Sequence, residues 1–155
     1  MKRPFETWIL VILLVLLAAN AFYGGISFIL EPDGSLLKIN PAWLEKSPFT
    51  NFLIPGILLL LFMGVLPFIA IIGLFSKKKP GFISALNCLP EKRWGWTYAL
   101  YSGIVTNIWI IVQQLFTSYF ILQPVIAAVG MLIIITSLLP RIQKYFTTET
   151  NHISD

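Results

Sequence analysis

The chain has 155 residues, of which 57% belong to the apolar set AVILMFWYC and 12% are charged. A soluble domain carries about a quarter charged residues, so this composition excludes a water-facing globular shell, a disordered chain and a disulfide scaffold. The net charge of +4 then reads as membrane orientation and contact with anionic headgroups, not as binding of nucleic acid.

Four segments carry no Asp, Glu, Lys, Arg or His: residues 8–30, 52–75, 96–116 and 121–139. Crossing the hydrocarbon takes roughly 20 apolar residues in a helix, whereas a barrel strand is roughly 10 residues long with alternating polarity. The expected fold is therefore all-α and polytopic, a single compact bundle of four transmembrane helices. An outer loop at 31–51, a basic inner loop at 76–95 and a tail at 140–155 complete it.

The first span opens with Lys2 and Arg3 and contains Ala19-Asn20-Ala21, the pattern of a cleavable signal peptide. Its apolar run continues through Phe22, Tyr23, Ile26, Phe28, Ile29 and Leu30, which favours a retained helix. In the outer loop, Glu31-Pro32-Asp33-Gly34-Ser35 has turn chemistry. Asn40-Pro41 predicts a cap and first-turn proline, with one or two helical turns over residues 41–46. Ser47-Pro48 repeats that signal at the entry to the second span. Glu31, Asp33 and Glu45 are acids in one loop, but their spacing matches no dedicated calcium loop, and a solvated turn is expected.

Pro55 and Pro67 predict kinks in the second span, because each removes a backbone donor and crowds the preceding turn. The third span is the most informative. At about 100° per residue, Ser102, Thr106, Asn107, Trp109, Gln113, Gln114, Thr117 and Ser118 fall on one half, and Ile104, Val105, Ile108, Ile111, Val112, Leu115 and Phe116 on the other. Amides facing lipid are costly, so the polar half is expected to face the bundle. Two readings stand for it. Asn107, Gln113 and Gln114 join neighbouring helices by hydrogen bonds, or Asn107, Trp109 and Gln113 line a pocket for a lipid-like or small polar ligand. Gln123 opens the fourth span after a tight turn, where Gln113, Gln114 and Ser118 are its expected neighbours. The candidate binding residues are thus Asn107, Trp109, Gln113, Gln114 and Gln123. Small residues, among them Ala21 and Gly25 in the first span and Ala127, Ala128 and Gly130 in the fourth, predict close helix approach.

Basic residues are sorted between the loops. Lys2, Arg3, Lys77, Lys78, Lys79, Lys92, Arg93, Arg141 and Lys144 lie on one side, and only Lys38 and Lys46 on the other. Nine against two predicts a plasma-membrane, multi-pass protein with both termini cytoplasmic. Trp8, Trp43, Trp94 and Trp96 fall near span ends and are expected as interfacial anchors, while Trp109 lies mid-span.

Several chemistries drop out. Cys88 is the lone cysteine and His152 the lone histidine, so an intramolecular thiol pair, bis-histidine haem and His-based metal sites have no residues to build them. No span holds a carboxylate for proton coupling, and no phosphate loop, dinucleotide fingerprint or nucleophile elbow is present. No catalytic residue, metal or cofactor is assigned.

The stretches Glu31-Pro32-Asp33-Gly34-Ser35, Ser47-Pro48-Phe49 and Ile54-Pro55-Gly56, with Trp109, Gln113 and Leu122-Gln123-Pro124, resemble an uncharacterised group of small four-helix bacterial integral membrane proteins. The resemblance implies a four-helix membrane protein, brings no activity or site with it, and draws interest to Trp109, Gln113 and Gln123. The leading expectation is a non-enzymatic accessory or lipid-binding protein, whose partners are the bilayer and a membrane protein or a second copy. A small-molecule carrier using the polar face of the third span is the alternative, and an enzyme using Glu31, Asp33 or Glu45 is the weakest reading.

Overall fold

In a computed structural model of the chain, residues 3–76, 78, 81 and 86–147 are described. They form five helices: α1 (Phe5–Leu30), α2 (Leu53–Phe75), α3 (Trp94–Phe116), α4 (Leu122–Leu138) and α5 (Pro140–Phe146). No strand occurs among the described residues, apart from an isolated antiparallel bridge between Lys92 and Thr147. By length and apolarity α1, α2 and α3 can each cross a membrane, and α4 with α5, bent from it by 65°, makes a fourth candidate.

The long helices form a ring in which α1 and α3 each touch both α2 and α4, while α1 and α3 face each other across the diagonal with little contact. Glycines set the closest approaches. A Cβ on Gly25 of α1 would lie 3.0 Å from the Gly56 carbonyl oxygen of α2, and one on Gly103 of α3 would lie 2.8 Å from the Gly130 carbonyl oxygen of α4. Between α2 and α3, the backbones of Gly73 and Gly95 touch directly, and the Trp94 ring lies over Gly73. Small residues permit such packing, and helices that approach this closely gain van der Waals contact along their length. The side chains of Leu10, Leu14, Met63, Leu74 and Ile133 fill the interior with no exposure. Along α3 the polar half turns inward only in part: Ser102 and Thr106 are buried, but Gln114 and Ser118 are exposed, as are Ile104, Ile108, Ile111 and Leu115 on the apolar half.

Helix α2 absorbs its prolines without ending. Pro55 sits in the first turn, where a backbone donor has no intrahelical partner to lose, and the Asn51 Oδ1 accepts from the Leu53 N–H at 3.1 Å. Ser47, which the Ser47-Pro48 pair suggests as the cap, instead accepts from the Phe49 N–H at 3.1 Å, and Phe52, which flanks α2, caps it with no side-chain bond. Just ahead of Pro67, Leu60–Val65 is wound as a π-helix. The proline ring crowds the carbonyl four residues earlier, and a wider turn relieves that crowding.

The end of the bundle that holds the termini is more ordered than the sequence suggests. Residues 140–155 read as a tail, but Pro140–Phe146 folds back as α5 with Ile142 and Phe146 fully buried. Pro140 at the first helical position and apolar residues four apart were the signals for it. Lys92 Nζ donates to the Gln143 carbonyl oxygen at 3.1 Å and the Thr147 hydroxyl at 2.8 Å, and an Arg93 guanidinium nitrogen donates to the Ser76 carbonyl oxygen at 2.7 Å. Two of the basic residues counted for orientation thus also clamp α5 and the preceding connection. Trp94 and Trp96 depart from the anchor expectation. They are 4% and 2% exposed. Their indole N–H groups donate inward, to the carbonyl oxygens of Lys78 and Ser137 at 2.8 Å each.

Candidate functional site

Because α2 and α3 touch at Gly73 and Gly95, their packing is concentrated at the termini end. Contact with α3 runs through the Leu66–Phe75 part of α2, thins over the π-helical segment and is slight at most over Leu53–Leu59. The two helices therefore splay toward the loop end, and the space between them is a cavity of about 460 Å³. This lies within the range of about 300–1,000 Å³ usual for small-molecule sites.

Each long helix supplies a wall. From α1 come Asn20, Tyr23, Gly24 and Phe28; from α2, Pro55, Leu58, Leu59 and Met63; from α3, Trp109, Ile110, Gln113 and Phe116; from α4, Leu122 and Ile126. The loop of residues 31–51 closes the end with Leu37, Ile39, Trp43 and Leu44. No Asp, Glu, Lys, Arg or His lines the cavity among the described residues.

The sequence builds this roof by local turn chemistry. The Asp33 carboxylate accepts from the Ser35 N–H at 3.0 Å and the Ser35 hydroxyl at 2.7 Å, and Ser35 also bonds Glu31. These donors hold the Asp33 carboxyl below its usual range. Gly34 has φ +82°, and a Cβ there would lie 2.9 Å from the Ile39 carbonyl oxygen, so glycine suits the left-handed turn on two counts. Asn40 caps a single 3₁₀ turn, Pro41–Leu44, by accepting from the Ala42 N–H at 2.9 Å. That turn presents Trp43 and buries Leu44. Two ring contacts fix the roof to the walls: Phe52 stacks on Phe28 at 4.8 Å, and Trp43 meets Phe120 at 5.1 Å.

The five candidate residues separate by position. Trp109 and Gln113, one turn apart on α3, both line the cavity. Asn107 does not: its amide donates to the Gly103 carbonyl oxygen at 2.9 Å and packs where a Cβ on Gly130 would stand. Gln114 is exposed and also lies off the cavity. Gln123 is fully buried and staples the α3–α4 turn. Its Nε2 donates to the Thr117 hydroxyl at 3.1 Å, and its Oε1 accepts from the Phe120 N–H at 3.3 Å. Its partners are thus turn residues, not Gln113, Gln114 or Ser118.

Asn20, which the sequence shows within the Ala19-Asn20-Ala21 pattern, joins the cavity from α1. It is the sole amide in that helix, and a lone amide in an uncharged span was the signal for it. Among the described residues, the side chains of Asn20, Trp109 and Gln113 make no hydrogen bond. The roof residues Trp43, Leu37 and Ile39 reach the site through the loop's fold, which no helical pattern foretells. Among the described residues no three His, Cys, Asp or Glu side chains gather as metal ligands.

The chain matches no protein-family model, no curated protein and no solved structure.

Proposed function

We propose that this chain is an integral membrane protein of four spans, with both termini cytoplasmic, that binds a lipid in the loop-end cavity. It acts as an accessory or lipid-binding protein, not through bond-making chemistry. The observation that carries the reading is the cavity itself: about 460 Å³, walled by all four long helices, roofed by a fixed loop and apolar over nearly all its lining. Exposed Ile, Leu and Phe side chains around the ring suit contact with acyl chains. The nine-to-two sorting of Lys and Arg supports the orientation.

A carrier path along the polar half of α3 is the competing reading. Against it, the Ser102 and Thr106 hydroxyls donate to carbonyl oxygens one turn back on their own helix, and Asn107 does the same. Below Trp109 the polar half is thus spent on packing, which favours a closed-ended binding site.

Native mass spectrometry of the full chain released from nanodiscs tests the reading. Retained lipid is expected on the native protein, and loss of that lipid on Ile126→Trp, which fills the cavity. Equal retention by both would overturn the assignment. Orientation is tested separately by impermeant thiol labelling of a Cys88→Ser background. A cysteine at Lys46 should label from outside and one at Lys78 should not; the reverse pattern inverts the topology.

A further inference from the structure

Resting on the lipid-binding reading, we infer that the occupant of the cavity is an uncharged lipid, held by hydrogen bonds from Asn20, Trp109 and Gln113 to a hydroxyl- or carbonyl-bearing head.

The argument begins with what apolar lining cannot do. A lipid tail leaving the bilayer for this cavity exchanges one hydrocarbon surface for another, so apolar burial contributes almost nothing to selection. Selection rests on the polar groups. Asn20, Trp109 and Gln113 border one cavity from two helices that barely touch, and none has a side-chain partner among the described residues. An unbonded amide or indole N–H at membrane depth is unfavourable, and a head that accepts from these groups removes that cost. At 1.5 Å per residue, Gln113 lies about 5 Å, Trp109 about 10 Å and Asn20 about 15 Å inward from the loop ends of their helices. The donors form a ladder down the cavity, so the head sits inside it and not at its rim.

Charge then decides between head groups. The loop's Glu31, Asp33, Lys38, Glu45 and Lys46 are all outside the lining, and no cation faces in. A phosphate or carboxylate placed here would lose its hydration with no cation to offset its charge. The donors present are neutral, and the indole N–H can only donate, so the matching head is a neutral acceptor.

The test compares two probes with the same acyl chain, 1-oleoylglycerol and 1-oleoyl-lysophosphatidylglycerol, by titration of the delipidated full-length protein under native mass spectrometry. The uncharged probe is expected to bind at least about 100-fold more tightly. Trp109→Phe and Gln113→Leu should each weaken it by about 3- to 20-fold, and Ile126→Trp should abolish binding. Thermal unfolding confirms that each variant is folded, and Gly24→Leu serves as a second filler if Ile126→Trp is not. Equal or tighter binding of the charged probe overturns this inference and leaves lipid binding standing. Neutral binding that survives both polar variants overturns the assignment of the donors. Absence of both probes, or binding unmoved by the fillers, overturns the lipid-binding reading itself.

Discussion

The contact between Gly73 and Gly95 makes a sharp prediction. In Gly95→Ala, the new Cβ would fall on the Gly73 carbonyl carbon, with the Leu74 nitrogen and Gly73 oxygen also inside contact. The obstacle is backbone on α2, which has no rotamer to change, so the helices must part. Overpacking a filled interior costs about 1–3 kcal/mol, occasionally more, even where side chains can yield. Relief of the glycine's helix penalty returns at most about 1 kcal/mol. Because backbone cannot yield, the cost falls at the upper end of that range, about 3 kcal/mol, and a net loss of about 2 kcal/mol follows, which for a chain of this size lowers Tm by about 4–8 °C. Gly64→Ala is the internal comparison. Its Cβ would stand 3.6 Å from the Leu60 side chain and 3.7 Å from the Phe22 ring, an ordinary contact, so its Tm should hold or rise. Thermal unfolding of the two variants in the same detergent, followed by circular dichroism, reads the difference. A Gly95→Ala protein as stable as Gly64→Ala would refute direct backbone contact between α2 and α3. It would also remove the reason given for the splay that opens the cavity.

Gln123→Leu should destabilise by about 2–3 kcal/mol, since it strips two bonds from the α3–α4 turn and leaves the Phe120 N–H unpaired; denaturation of the purified protein checks it. Asn107→Ala should lower Tm through loss of the bond to Gly103 while leaving affinity for 1-oleoylglycerol unchanged, because Asn107 is off the cavity; a large affinity change would contradict its packing role. Trp96→Phe removes the indole donor to Ser137 and should cost about 1 kcal/mol or more, seen as a lower Tm with the helical content retained. Asp33 has a lowered folded pKa, so its turn is fully supported above its unfolded value of 3.8 and loses that support as pH falls through the lower folded value. Protection of the Ser35 backbone amide, taken relative to its intrinsic exchange rate at each pH, should therefore fall as pH drops below 3.8, and Asp33→Asn should flatten that response.

Different parts of the molecule were legible to different degrees. The four apolar segments of the sequence stand where α1 to α4 stand, because a charge-free run of about 20 residues has few other stable forms. Turn chemistry at Asp33 and Asn40 was equally readable, since each bond there reaches only two residues along the chain. The inward turn of Ser102 and Thr106 followed from the helical period, but Gln114 and Ser118, on the same half, are exposed. Reading failed where a residue's role depends on a distant neighbour. Trp94 and Trp96 resemble interfacial anchors by position, but their partners are Lys78 and Ser137, 16 and 41 residues away. Helix α5 was missed because its burial requires a surface made by other elements.

The sequence by itself determined the all-helical class, the place of each long helix and the absence of charge along the four apolar segments. Those properties are local sums over composition and period. Tertiary structure alone decided which polar groups face a cavity and which are consumed in packing. Asn107 and Gln113 are both amides on one half of one helix, six residues apart. The first meets Gly130 where α3 and α4 close, and the second faces the gap where α2 and α3 diverge. That difference comes from where glycines allow backbones to meet, a property of helix pairs that no single helix carries.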